Sequence, residues 1–250
     1  MQSWRSLASA AFSSLLLSGC VLSSVTQLER MKQNGVKGDL QSNSRESLAC
    51  EPTATECYQL HLLKGDACYT LSTHATDIAA RRDLDTCAAN DLRAGATLAP
   101  TEQTPVGAMR EYRLKQLEAL RDLIDTRRQG DPSGADALTA AAEEFRKHYP
   151  HDSAGPFYLA SARLTVAEDN FLVNADSAAL CTSLSDIDGI ARTGNSAPGS
   201  LESQYRNLAK SIADLRRTGG CTRPRPFLLA YSNYSCPMIA GRTFSPSRVA

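Results

Sequence analysis

Residues 106–128, VGAMREYRLKQLEALRDLIDTRR, carry the clearest periodic signal in this 250-residue chain. Met109, Tyr112, Leu117, Leu120 and Ile124 recur at helical spacing on one face, with Arg, Lys, Glu and Asp opposite. Gln129-Gly130-Asp131-Pro132-Ser133 ends the helix, because glycine suits a C-cap and proline cannot continue the hydrogen-bond ladder. Gly134–Tyr149 resumes the pattern, with Leu138, Ala141, Ala142 and Phe145 inward and Glu143, Glu144, Arg146 and Lys147 outward. His148-Tyr149-Pro150-His151-Asp152-Ser153 forms the next turn, where Asp152 or Ser153 caps a helix running to Ala167.

The same rhythm extends both ways. Upstream, Ala54–Thr73 and Asp77–Asn90 read as a helix and its return, followed by a looser Asp91–Leu98 and a break at Pro100 and Pro105. Downstream, helices are expected over Ala175–Arg192 and Ser200–Arg217, and Gly219 and Gly220 stop the second. Val21 to about Ser47 is polar and weakly periodic. It reads as a tether with one short helix near Val25–Gln33, the folded part starting near Pro52. From Cys221 onward the helical period is lost, and Phe227–Tyr231 is a short strand or a segment laid across the helices. The expected fold class is therefore all-α: antiparallel helix pairs stacked as a short solenoid or bundle, with an irregular C-terminal tail fastened by disulfides.

Composition agrees. Aromatics are only 6%, and hydrophobic residues at 42% are too many for a disordered chain. Lys+Arg and Asp+Glu are equal at 27 each, so the basic excess of a nucleic-acid-binding protein is missing and no nucleic-acid partner is expected.

The N-terminus gives an address. Arg5 supplies a positive start, Leu7–Leu17 an apolar stretch too short to span a bilayer, and Leu17-Ser18-Gly19-Cys20 closes it. These four residues resemble the lipobox of bacterial lipoprotein signal peptides. The resemblance implies cleavage between Gly19 and Cys20 and lipidation of Cys20. Val21 stands where an Asp would signal inner-membrane retention, which implies the outer membrane, with the chain facing the periplasm. Removal of the leader takes away Trp4, the only tryptophan, and leaves one more acidic than basic group. The expected organisation is 1–19 signal peptide, 20–50 lipidated tether, 51–220 helical domain and 221–250 tail.

Two stretches carry a second resemblance. His61-Leu62-Leu63-Lys64-Gly65-Asp66-Ala67-Cys68-Tyr69 resembles the first helix of a tetratricopeptide repeat, a family in which a small residue lets two helices approach. Ala141–Pro150 followed by Phe157-Tyr158-Leu159-Ala160 is similar to a second helix running into the next unit, as in repeats of outer-membrane assembly lipoproteins. Gly65 and Ser161 would then sit at close helix crossings, with large residues filling the gaps.

Seven cysteines remain after Cys20: Cys50, Cys57, Cys68, Cys87, Cys181, Cys221 and Cys236. An exported chain is expected to oxidise most of them, and an odd number leaves at least one over. A turn between Thr73 and Asp77 would set Cys68 opposite Cys87. Cys50 with Cys57 would close the helix entry, and Cys221 with Cys181 or Cys236 would fasten the tail; spacing does not choose between the last two.

No catalytic motif is present, no Cys-x-x-Cys occurs, and neither a cofactor nor a metal is expected. Asp186-Ile187-Asp188-Gly189 has part of a calcium-loop pattern, but Leu184 stands where the first carboxylate belongs, so it reads as a helix interruption. His148 and His151 read as a solvated turn, Glu143 and Glu144 as a solvated face. Arg216, Arg217, Arg223 and Arg225 form the densest basic cluster, suited either to anionic lipid or polymer or to a helix C-terminus. The leading functional expectation is a non-enzymatic scaffold that docks an envelope protein on its concave face. Tyr58, Tyr69, Tyr112, Phe157 and Tyr158 are the candidate partner surface, although aromatics at such spacing commonly fill cores. The secretion, pilus and outer-membrane assembly settings stay equal. An envelope enzyme acting on cell-wall polymers and a purely structural lipoprotein are the alternatives.

Overall fold

A computed structural model describes residues 23–100, 106–126, 133–195 and 201–221. Among these residues all regular structure is helical: α1 (23–37), α2 (Leu40–Arg45), α3 (Cys57–Ser72), α4 (Ile78–Leu98), α5 (Val106–Asp125), α6 (Ser133–His148), α7 (Ala154–Asn174), α8 (Ser177–Asn195) and α9 (Glu202–Thr218). Three of the helix starts are set by short acidic side chains. Asp77 Oδ1 accepts from the Ala80 amide at 2.7 Å, Asp152 Oδ1 from Ala154 at 2.9 Å, and Asp176 Oδ1 from Ala178 and Ala179 at 3.0 Å. The helix end at Ala175 adopts a left-handed conformation, φ 53°, without the glycine that usually occupies it.

Each helix from α3 onward packs on the next, so neighbours in sequence are neighbours in space. Further contacts join α3 to α5, α5 to α7 and α7 to α9, while α4, α6 and α8 make no comparable contacts with one another. The core is continuous from Tyr58 and Leu62 through Leu92, Leu117, Leu138 and Phe145 to Leu159, Leu184, Ile187 and Ile212. Phe157 packs edge-on against Tyr158 and Tyr205, and the buried Tyr205 hydroxyl donates to the Ser153 carbonyl at 2.7 Å, tying α9 to the start of α7.

Helices α3 and α4 cross closely. A Cβ at Gly65 would lie 2.7 Å from Leu92 Cγ and 2.8 Å from its backbone nitrogen, and one at Gly95 would lie 2.7 Å from Leu62 Cγ. Two glycine–leucine pairs thus interlock, which is the close approach expected at Gly65. Ser161 is likewise buried, within α7.

Three readings are corrected. First, residues 23–45 are not a flexible tether. Leu28 and Met31 of α1 are buried against Leu60 of α3, with Leu48, Cys50 and Leu63 around them. The polar residues that made this stretch look like a linker serve as internal hydrogen-bond partners. Asn43 Nδ2 donates to the Met31 carbonyl at 2.9 Å, and Gln27 Nε2 to the Ser47 carbonyl at 2.8 Å. Second, α4 does not loosen at Asp91, because buried Leu92, Gly95 and Ala96 hold its last turns against the core. Third, α8 is not interrupted at Asp186–Gly189. Buried Asp188 faces α9, 2.8 Å from Arg192 and 3.5 Å from Arg216.

Cysteines pair at disulfide distance as Cys50–Cys57, Cys68–Cys87 and Cys181–Cys221. The last fastens Cys221, just beyond α9, to α8. The signal peptide with Gly19 and Cys20, and the tail beyond Cys221 with Cys236, lie outside the described residues. No described helix is long and apolar enough to cross a membrane.

Candidate functional site

The five aromatics expected to meet a partner divide by depth. Tyr58, Phe157 and Tyr158 are buried in the core, so they are not a surface; helical spacing shared with Leu and Ala neighbours points them inward. Burial also raises the Tyr158 phenol well above its ordinary range. Tyr69 and Tyr112 are half-buried along the α3–α5 seam. Lys115 sits over both rings, 5.8 and 5.9 Å from their centroids, and bridges Asp66 at 2.7 Å and Glu111 at 3.0 Å. The Tyr69 hydroxyl donates to Glu118 of α5, and Arg81 of α4 binds Asp122 of α5. This seam is a set of paired charges that locks three helices.

A concavity lies on the other side of α5. A groove of about 680 Å³ runs between α4 and α6 with α5 as its floor. Ala89, Ala96, Ala137, Ala140 and Ala141 keep its walls low, because a methyl projects too little to fill the gap between the two helices. Its polar groups are Asn90, Arg93 and Thr97 on α4, Arg113 and Gln116 on α5, and Glu144 and His148 on α6, with Tyr149 at one end. Gln116 is buried, and Arg113 Nε is buried with no hydrogen-bond partner among the described residues. A guanidinium with an unsatisfied donor in a concave wall is suited to a carboxylate or a backbone carbonyl. The one carboxylate on the wall, Glu144, is taken up by His148 at 2.8 Å, and that hydrogen bond holds its carboxyl below the usual range. Glu143 pairs with Arg163 at 3.6 Å. Both side chains are about half exposed, so these are surface ion pairs on a solvated face.

A second cavity, about 560 Å³, lies between α5, the α6–α7 turn and α9. It is lined by Arg110, Glu118, His151, Asp152 and Gln204 among others, and Arg110 Nε is 2.5 Å from Asp152. The basic cluster resolves into structural contacts where it is described. Arg216 donates to the Leu184 carbonyl at 3.2 Å and Arg217 pairs with Asp214, while Arg223 and Arg225 lie outside the described residues.

Sequence reasoning missed the groove residues Arg93, Arg113 and Gln116. Their only signal is polarity on a helix flank, and no motif distinguishes a flank that faces a gap from one that faces solvent. It also missed that His61 joins the expected Cys50–Cys57 pair, the ligand atoms of all three lying within 4.8 Å of one another. Cys57 and His61, four apart on α3, share a face legible from spacing, but no motif marks the three as one cluster.

Compared with protein-family models, with curated proteins and with solved structures, the chain matches none.

Proposed function

We propose that this chain is a lipid-anchored outer-membrane protein, cleaved before Cys20 and facing the periplasm, whose helical body docks a segment of an envelope protein partner. The lipobox-like Leu17-Ser18-Gly19-Cys20 supports the address, and three cysteine pairs suit an oxidising compartment. The row of contacts α3–α5, α5–α7 and α7–α9, with partner helices behind, supports a tetratricopeptide-like stack of helix pairs. The docking site is the groove between α4, α5 and α6. The observation that carries it is Arg113, whose buried Nε has no hydrogen-bond partner among the described residues, in a concave wall edged with alanine. Such a trough takes an extended peptide, with a carboxylate of the peptide at Arg113.

A photoreactive residue in place of exposed Ala140 tests this in intact envelopes. It should capture one discrete protein, and Arg113→Glu should reduce that product at least tenfold. The same label at Val36, 90% exposed on α1, should not capture it. Equal capture from both positions, or none from Ala140, overturns the docking site.

A second reading, an enzyme acting on cell-wall polymers, draws on Glu118 and Asp152 lining one cavity. Both carboxylates are already engaged, by Tyr69 and Arg110. Turnover of a cell-wall polymer that Glu118→Gln abolishes would favour this reading over docking.

A further inference from the structure

The entrance to α3 holds a donor set that the docking reading does not use. Cys50 lies in the connection before α3, Cys57 is the first residue of that helix, and His61 follows one turn later. Their two sulfurs and a ring nitrogen lie within 4.8 Å of one another. In a tetrahedral zinc site with Zn–S of ~2.3 Å the sulfurs stand ~3.8 Å apart, so the bonded pair must open and Cys50, in the connection before α3, move outward before both sulfurs can reach one ion. Two thiolates and an imidazole are the donor class that a d¹⁰ divalent cation prefers.

The surroundings of His61 strengthen the match. Its Nδ1 is 2.6 Å from Asp91 Oδ1 of α4, and the other Asp91 oxygen is 3.6 Å from Lys64 Nζ. A carboxylate that fixes an imidazole in this way is the usual outer partner of a metal-binding histidine, setting ring orientation and basicity. Access is also suited: Cys50 and His61 are half-exposed while Cys57 is buried, so an ion would enter from one side and keep an open fourth position. The loop closed by Cys50–Cys57 spans only seven residues, and α3 stays anchored by buried Tyr58, Leu60 and Leu62 when it opens.

We propose that Cys50, Cys57 and His61 form a redox-gated site for a zinc-class divalent cation. In the oxidised chain the two sulfurs are bonded to each other and bind nothing. An external dithiol opens the bridge: it transfers two electrons and two protons to the cysteine pair and leaves as a cyclic disulfide. The cation then displaces the two thiol protons and takes both thiolates and one His61 nitrogen, with water in the fourth place. This inference is independent of the docking groove.

The test uses the full-length chain, mildly reduced, with opening of Cys50–Cys57 verified by alkylation and mass spectrometry, and Cd²⁺ and Zn²⁺ as probes. One Cd²⁺ per chain should bind with thiolate-to-metal absorption, and Zn²⁺ should displace it; the oxidised chain should show neither. Cys50→Ser should abolish the signal, His61→Gln should weaken binding at least tenfold, and Asp91→Asn about tenfold. Circular dichroism follows the fold throughout, and His61→Gln, at a half-exposed position, leaves every disulfide intact. Should reduction lower the helical signal, its restoration by Zn²⁺ in the wild type but not in His61→Gln supports the site equally. No binding by the reduced wild type, or binding that Cys50→Ser and His61→Gln leave unchanged, overturns the proposal.

Discussion

Asp85 is completely buried in α4, and neither carboxylate oxygen has a hydrogen-bond partner among the described residues. The Ser72 hydroxyl beside it donates to the Tyr69 carbonyl at 2.8 Å, and Arg81 Nε stands 3.9 Å away with its guanidinium committed to Asp122. Burial therefore raises the Asp85 carboxyl above its ordinary range, with Ser72 and Arg81 opposing and Asp122 adding to the shift. A carboxyl whose folded pKa exceeds its unfolded value of about 3.9 contributes stability below that value, and the contribution is lost as pH rises through the folded pKa. Ionisation of Asp85 therefore weighs against the fold. Asp85→Asn should stabilise the fold by about 1–2 kcal/mol at pH 7, since a neutral amide has a smaller desolvation cost than a carboxylate. The gap from wild type should close as pH falls towards 4. Urea denaturation of both proteins across that range measures it, and a pH-independent difference would show that Asp85 is not the titrating group. The sequence hides this residue, because Asp85 lies among Arg81, Arg82 and Asp83 in what reads as a charged surface.

At the scale of elements, α3 and α4 show what spacing can and cannot predict. The turn between Thr73 and Asp77, the cap at Asp77 and the pairing of Cys68 with Cys87 all follow from local chemistry. The small residue at Gly65 predicts a close crossing, but Gly95 opposite Leu62 is recognised only when both helices are in place. Gly65→Ala should destabilise the protein by about 1–3 kcal/mol, because the new methyl meets the Leu92 backbone nitrogen, which cannot move aside as a side chain can. Thermal unfolding measures this, and an unchanged or raised midpoint would mean the crossing has room to spare. The helices α1 and α2 are the opposite case. Their Gln, Asn and Ser content matches a linker, and it is the burial of Leu28 and Met31 against Leu60 that makes α1 part of the body.

Over the whole molecule, the disulfides divide into short-range and long-range staples. Loop closure removes more entropy from the unfolded chain as the loop lengthens, so the three bridges should contribute unequally. Opening Cys181–Cys221, which encloses 40 residues, should cost about 3.9 kcal/mol; opening Cys50–Cys57, which encloses seven, about 2.4 kcal/mol. Denaturation of the two paired Cys→Ala variants checks the order, and a larger loss for Cys50 and Cys57 would reverse it. That order also suits a short bridge that opens and closes while α8 and α9 stay fastened.

The helical class, most helix positions and two of the three cysteine pairings follow from the chain by itself, because periodicity, caps and turns act over a few residues. The groove at Arg113, the buried Asp85 and the Cys50–Cys57–His61 set were decided by the tertiary structure. Each depends on residues from separate elements meeting, and on which flank of an amphipathic helix a neighbouring helix leaves uncovered.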